Sequence, residues 1–395
     1  MPAIDADLHT GFAFDLLRAV SAVTGEDVVV SPWSVASALA VLAPGTDGPA
    51  RLEIERVLAS SAGDEAPDNL VDVLAAHARL LTEGRGSSGA GPTTPSEQGR
   101  REGEGEAEGD GDLLVVANSL WVDEGRTAQP AFVGHLDAWP GAAVRSASMG
   151  RDPEGARAAI NADVGETTRG LIPAILPSGS ITRDDRAVVV NALYLLAGWI
   201  ERFTAENTVD EQFHAPSGRR AVPTMRARQE LRYAPGDWQY LALPLWPDLM
   251  AEVLLPPAGT DAPATVATPA ILAERRDRAR PYRVDLHLPR FRVECHVDLV
   301  PPLHRLGIRR IFEDSLAVPA VLVDEPLSIS GAFHAAVLRL DERGIEGAAA
   351  TALVARAVAF VDMPEVEVRV DRPFLVLVTH RRTGIVLFLT HVTEP

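Results

Sequence analysis

Apolar residues at Phe12, Phe14, Leu16, Leu17, Val20 and Val23 recur at helical spacing and predict a helix over 12–23. The run Val28-Val29-Val30 predicts a strand that ends at Ser31-Pro32, a pair suited to opening a second helix over 33–42. Gly45 and Pro49 bracket a break, after which helices are predicted over 50–60 and 70–81. Beyond residue 112 the pattern changes to short apolar runs. Strands are predicted over 113–122, 187–196, 240–243, 250–255, 282–288 and 366–370, with a closing hairpin of 374–378 and 384–391 around 381–384. Helical patterns return only at 154–169 and 269–278. Helices early, strands late and no regular βαβ alternation predict an α+β fold with large antiparallel sheets.

Between these regions, residues 83–112 contain no aliphatic side chain larger than Ala and no aromatic, but eight acidic residues and three Arg. Nothing there offsets the entropy of ordering a chain, so this stretch is expected to be a disordered, acidic, Gly-rich insertion. It lacks the Asp-rich loop with a closing Glu that calcium binding requires. The whole chain has 395 residues, 46% of them hydrophobic, and a formal charge of −18. That balance argues against nucleic-acid binding. All 37 basic residues are Arg, which fits a GC-rich genome of prokaryotic type and excludes Lys chemistry. One cysteine, Cys295, leaves no internal disulfide or cysteine-built metal cluster. Asp5, Asp7 and Asp15 replace the basic-then-apolar layout of a signal peptide, and no apolar run reaches the ~20 residues of a membrane span. The expectation is a soluble cytoplasmic protein, or an extracellular one if the start site is misassigned or export is non-classical.

The catalytic signatures Gly-x-Ser-x-Gly, His-Glu-x-x-His, Cys-x-x-Cys and the phosphate-binding Gly loop are missing, and the ten His show no metal-ligand spacing. No enzyme, metal or cofactor is expected. One segment stands out. From Ile345 to Ala357 only Glu346 and Arg356 are charged, and on a strand they share one face. The other face carries Ile345, Gly347, Ala349, Thr351, Leu353, Ala355 and Ala357, all small or apolar. Helix propensity favours an Ala-rich helix instead, and on a helix the two charges stand about 80° apart, so these residues alone leave both readings open.

The wider setting resembles the serpin family from about Phe12 to Pro395, the insertion excepted. Val28 to Ser34, Ile160 to Ile172, Asn191-Ala192-Leu193-Tyr194 with Gly198-Trp199, Phe203 and Asn207-Thr208, then Leu288 to Phe291 and Pro373-Phe374-Leu375, are similar to serpin motifs in serpin order, and the Ala-rich segment completes the set. The resemblance implies a single domain over 1–395 with a large central mixed sheet, further sheets, eight or nine helices and an exposed reactive-centre loop, the hinge and loop spanning 342–370. It implies a suicide-substrate inhibitor of a serine-type protease, elastase-like or trypsin-like, or of a cysteine protease. The cleaved loop enters the main sheet as a new strand and traps the acyl-enzyme. The alternative is a non-inhibitory serpin with a binding or chaperone role. Glu342, Gly344, Ile345, Gly347, Ala348, Ala349, Ala350 and Thr351 then form the loop hinge. Ser34, Asn191 and His334 correspond to the shutter, and Trp199 to the breach where the loop first inserts. Seventeen residues counted from Glu342 reach Val358, which puts the reactive bond at Val358–Ala359, with Arg356–Ala357 as the competitor. Ile345 is bulkier than the family's usual Thr, Ser or Val and is expected to slow insertion. The expected assembly is a monomer that binds neither membrane nor nucleic acid.

Overall fold

The computed structural model describes residues 6–395 except 26, 60–69, 83–112, 140, 324–325 and 346–362. In chain order the first elements are α1 (Ala6–Thr24), β1 (Val28–Val30), α2 (Pro32–Leu42), α3 (Gly48–Leu58) and α4 (Leu70–Thr82). Then come β2 (Leu113–Asp123), α5 (Pro130–Leu136), β3 (Ala142–Ala147), α6 (Pro153–Thr167) and β4 (Ala187–Gly198). The middle of the chain is β5 (Val209–Ala215), β6 (Gly218–Ala234), β7 (Gln239–Leu245), β8 (Leu249–Leu255), α7 (Pro263–Val266) and α8 (Pro269–Arg278). The remainder is β9 (Arg280–Pro289), β10 (Phe291–Asp298), α9 (Val300–Leu306), α10 (Arg310–Glu313), β11 (Gly331–Asp341), β12 (Gly344–Ile345), β13 (Glu365–Arg369), β14 (Phe374–His380) and β15 (Val386–Val392). Ten α-helices among the described residues exceed the eight or nine expected, because α7 and α10 are single turns of four residues.

Helix starts follow local chemistry. Ser31 caps α2 by accepting the Ser34 N–H at 3.2 Å, and Asp47 caps α3 by accepting the Ala50 N–H at 2.7 Å. Proline stands in the first turn of both, where its missing N–H costs nothing. Two sheets carry the rest. A nine-stranded sheet runs β1-β15-β14-β8-β7-β6-β9-β13, with β5 paired to β6. A six-stranded sheet runs β10-β11-β12-β4-β2-β3.

The six-stranded sheet is covered on both faces. Leu193, Leu195, Ala197, Leu338 and Leu340 point into the main core shared with α1 and α2. Val188, Val190, Phe333 and Ala335 point the other way and pack with Ile160 and Val164 of α6 and with Ile172, Ile175 and Leu176 beyond it. Burial on both faces explains why β4 and β11 are almost wholly buried along their lengths.

Candidate functional site: a polar row beneath a parted sheet

β11 and β4 are parallel neighbours, paired from Gly331↔Val188 to Ala336↔Leu193. Among the described residues their direct pairing ends there. Higher up, β12 lies between them and is antiparallel to both, with Ile345 opposite Leu340 and Ala197, and Gly344 opposite Asp341 and Gly198. The sheet is therefore closed at its lower end and wedged open at its upper end by two residues.

Ile345 is fully buried in that wedge, within the main core. Gly344 holds φ +138°, and a Cβ there would lie 2.2 Å from the Ala197 carbonyl oxygen, so only glycine fits. Trp199 sits beside the opening, where its Nε1–H donates to the Asp341 carbonyl at 2.8 Å and its backbone N–H to the Arg343 carbonyl at 3.0 Å. The Phe203 N–H donates to the Glu342 carbonyl at 3.2 Å, and the two rings meet edge to face at 5.7 Å. The Glu342 carboxylate accepts from Thr208 Oγ1 at 2.6 Å and lies 3.6 Å from Arg290. Thus Glu342, Gly344 and Ile345 are tied to the top of β4 and the segment after it.

Below the opening a polar row crosses three adjacent strands. Asn191 stands in register with His334 on β11 and with Asn118 on β2. All three side chains are buried among apolar neighbours, so each needs partners. The Ser31 backbone N–H donates to His334 Nε2 at 3.1 Å, which leaves the proton on Nδ1 to be donated to Asn191 Oδ1 at 2.7 Å. Asn191 Nδ2 donates to the Ser34 carbonyl at 2.9 Å, to Ser34 Oγ at 2.6 Å and to Asn118 Oδ1. Asn118 Nδ2 donates to Ser37 Oγ at 2.8 Å, and Ser37 Oγ to the Ser34 carbonyl at 2.8 Å. The row fastens β11, β4 and β2 to the first turns of α2. Burial pushes His334 down to about 4, so the ring is neutral near pH 7.

The structure thus gathers Ser34, Asn191 and His334 into one network and places Trp199 against the residues on either side of Glu342. Gly347, Ala348, Ala349, Ala350 and Thr351, and the bonds Val358–Ala359 and Arg356–Ala357, lie outside the described residues, as does 83–112. Sequence reasoning missed Asn118, Ser31 and Ser37 of the row, and Thr208 and Arg290 at Glu342. A signal existed for Asn118, which interrupts the apolar run 113–122. Ser31 reads from the sequence as a helix opener, which it also is.

A family profile described as Serpin (serine protease inhibitor) matches residues 7–395. The chain belongs to the serpin family. It is similar to the leukocyte elastase inhibitor of Sus scrofa, 28% identical over 98% of each chain, and to the serine protease inhibitor of Cyanea capillata, 27% identical over the full length of both. It is also similar to antithrombin-III of Homo sapiens, 31% identical over 71% of this chain and 62% of that protein. In fold it is similar to uncleaved ovalbumin, with a TM-score of 0.81 over all of both chains at 24% identity. Thyroxine-binding globulin in complex with thyroxine gives 0.80 over 99% of each chain at 20% identity. The sequence relatives carry the names of protease inhibitors, not of enzymes.

Proposed function

We propose that this chain is a suicide-substrate inhibitor of a serine-type protease. The protease serine attacks the Val358 carbonyl carbon, the Val358–Ala359 peptide bond breaks, the Ala359 amine leaves with a proton, and Val358 remains joined to the enzyme as an ester. The freed loop then joins the six-stranded sheet, which is the established serpin mechanism.

The observation that carries this reading is β12. Its two residues already occupy the place, and run in the direction, that an inserted strand takes. Continuing its antiparallel register from Gly344↔Gly198 brings Thr351 opposite Asn191 and Ala355 opposite Ala187, the first residue of β4. The odd-numbered residues then follow Ile345 onto the core face, which suits their small side chains. Ile345 itself needs no further insertion, so its bulk does not delay the step. The same register bears on the bond. Val358 falls three residues past the end of β4, about 10 Å at ~3.4 Å per residue, whereas Arg356 falls one residue past it and leaves the attached protease pressed against the sheet.

Mixing the protein with an elastase and with trypsin tests this. The elastase should give an SDS-resistant adduct whose released C-terminal fragment begins at Ala359, while trypsin cuts after Arg356 mainly as a substrate. Complete cleavage by both without an adduct would establish the non-inhibitory alternative.

A further inference from the structure

A cleft of about 360 Å³ opens between the segment that follows α6 and the lower ends of β10 and β11. Ile175, Leu176 and Pro177 form one wall and Phe333 the other, while the Val297 side chain turns away into the main core; the lining carries two titratable side chains, His296 and Asp298. Both walls are fixed. Asn161 of α6, itself buried, accepts the N–H groups of Ile175 and Leu176 at 2.9 Å each and donates to the Leu176 carbonyl at 3.0 Å. Arg157 Nη1 donates to the same carbonyl at 2.9 Å. Across the cleft, a Cβ on residue 331 would lie 2.8 Å from Phe333 Cε2, so the ring lies along β11 because Gly331 has no side chain. A concave apolar site on rigid elements, with few polar groups, is the usual setting for a small ligand.

The polar groups select its charge. The Asp298 carboxylate accepts the Val300 N–H at 2.9 Å through Oδ1, and among the described residues no side chain forms an ion pair with it. Asp298 is solvent-exposed in this lining, and partial desolvation pushes its carboxyl up, against the Val300 N–H and His304. A net charge of −18 adds a long-range field that draws cations and repels anions. The volume suits a molecule of one or two rings rather than a folded partner. We propose that this cleft binds a small organic cation, an apolar ring system whose ammonium head pairs with Asp298 while the rings pack between Leu176 and Phe333.

The test uses the full-length uncleaved protein at pH 7.5 and three probes of one shape: tryptamine, neutral 3-ethylindole and anionic indole-3-propionate. Binding is read by calorimetric titration and by the shift in melting temperature, so it is independent of whether the protein inhibits a protease. Tryptamine should bind about tenfold more tightly than 3-ethylindole, with indole-3-propionate weakest. Asp298→Asn keeps an acceptor for the Val300 N–H and should bring tryptamine and 3-ethylindole within twofold of each other. Ala174→Trp, on the exposed rim, should weaken both at least fivefold without lowering the melting temperature of the free protein. Absence of saturable tryptamine binding, equal affinity for the three probes, or binding untouched by both substitutions would overturn the assignment.

Discussion

Lowering the pH from 7.5 to 5.5 should destabilise the uncleaved protein by about 1.4 kcal/mol through His334 and by a similar amount through His391. Both rings are buried, and burial pushes both down to about 4 from an ordinary value of 6.5. In the unfolded chain each ring takes up a proton as pH falls through 6.5; in the folded chain neither does until about 4. The unfolded state therefore binds more protons throughout that window, and stability falls as pH falls. The slope approaches about 1.4 kcal/mol per unit for each ring and flattens below pH 4. Geometry explains why His334 resists protonation. Its Nε2 already accepts the Ser31 N–H at 3.1 Å, so a proton there would set donor against donor at a fully buried ring. His391 differs, since neither of its ring nitrogens has a hydrogen-bond partner among the described residues. Urea unfolding at pH 7.5, 6.5 and 5.5, followed by tryptophan fluorescence and far-ultraviolet circular dichroism, gives the slope. His334→Asn and His391→Leu should each remove about half of it, whatever they do to stability at pH 7.5. A wild type that stays level to pH 5.5, or a His334→Asn variant that keeps the whole slope, would refute the reasoning.

Asn191→Ala strips partners from Asn118 Oδ1 and from the His334 Nδ1–H, two buried groups, and should cost roughly 2–6 kcal/mol in urea unfolding. A loss well under 1 kcal/mol would mean that the row bears little weight. Gly344→Ala drives a Cβ against the Ala197 carbonyl and should expel Gly344 and Ile345 from the sheet. The readouts are faster proteolysis near residue 344 and a red shift in Trp199 emission; identical behaviour to wild type contradicts the wedge. Ala349→Glu puts a charge on the face that the register turns toward the core and should convert an inhibitor into a substrate, seen as cleavage without adduct. Removing residues 83–112 should leave melting temperature and inhibition nearly unchanged, since no side chain there is core-forming.

Long apolar periodicities were legible because burial on one face writes itself into the sequence. The helices α2 to α4, β2, β4, β7 to β9 and the closing hairpin of β14 and β15 begin and end within a few residues of expectation, while α1 starts six residues ahead of it at Ala6. Two of the strands that escaped notice, β6 and β11, fail that rule in different ways. β6 buries Val222, Leu231 and Tyr233 while exposing arginines between them, so its mean hydropathy is that of a loop. β11 is buried on both faces, so its apolar residues show no alternation, and its three alanines carry no strand preference. The polar row was half legible for a related reason. Ser34, Asn191 and His334 came from family motifs, yet Asn118 belongs with them only through the β2–β4 register, a long-range fact that no local pattern contains.

The two residues of β12 were the hardest to place and say the most about mechanism. Alanine-rich sequence favours a helix, and nothing near Gly344 marks a strand. What holds β12 is supplied from far upstream: the Ala197–Gly198 backbone, which a side chain at 344 would strike, Trp199 tied to the Asp341 and Arg343 carbonyls, and Thr208 donating to Glu342. Those contacts set a register, and the register links the hinge to the row beneath it. If the loop inserts as proposed in the register that starts from Gly344 opposite Gly198, the seventh residue onward would fall between Asn191 and His334, and the strand would not advance past that point until the Asn191–His334 hydrogen bond gives way. Under the proposed insertion, the polar row would gate the incoming strand as well as fasten the closed sheet. Substitutions that weaken it should ease insertion while they lower stability, and those two effects have to be measured together.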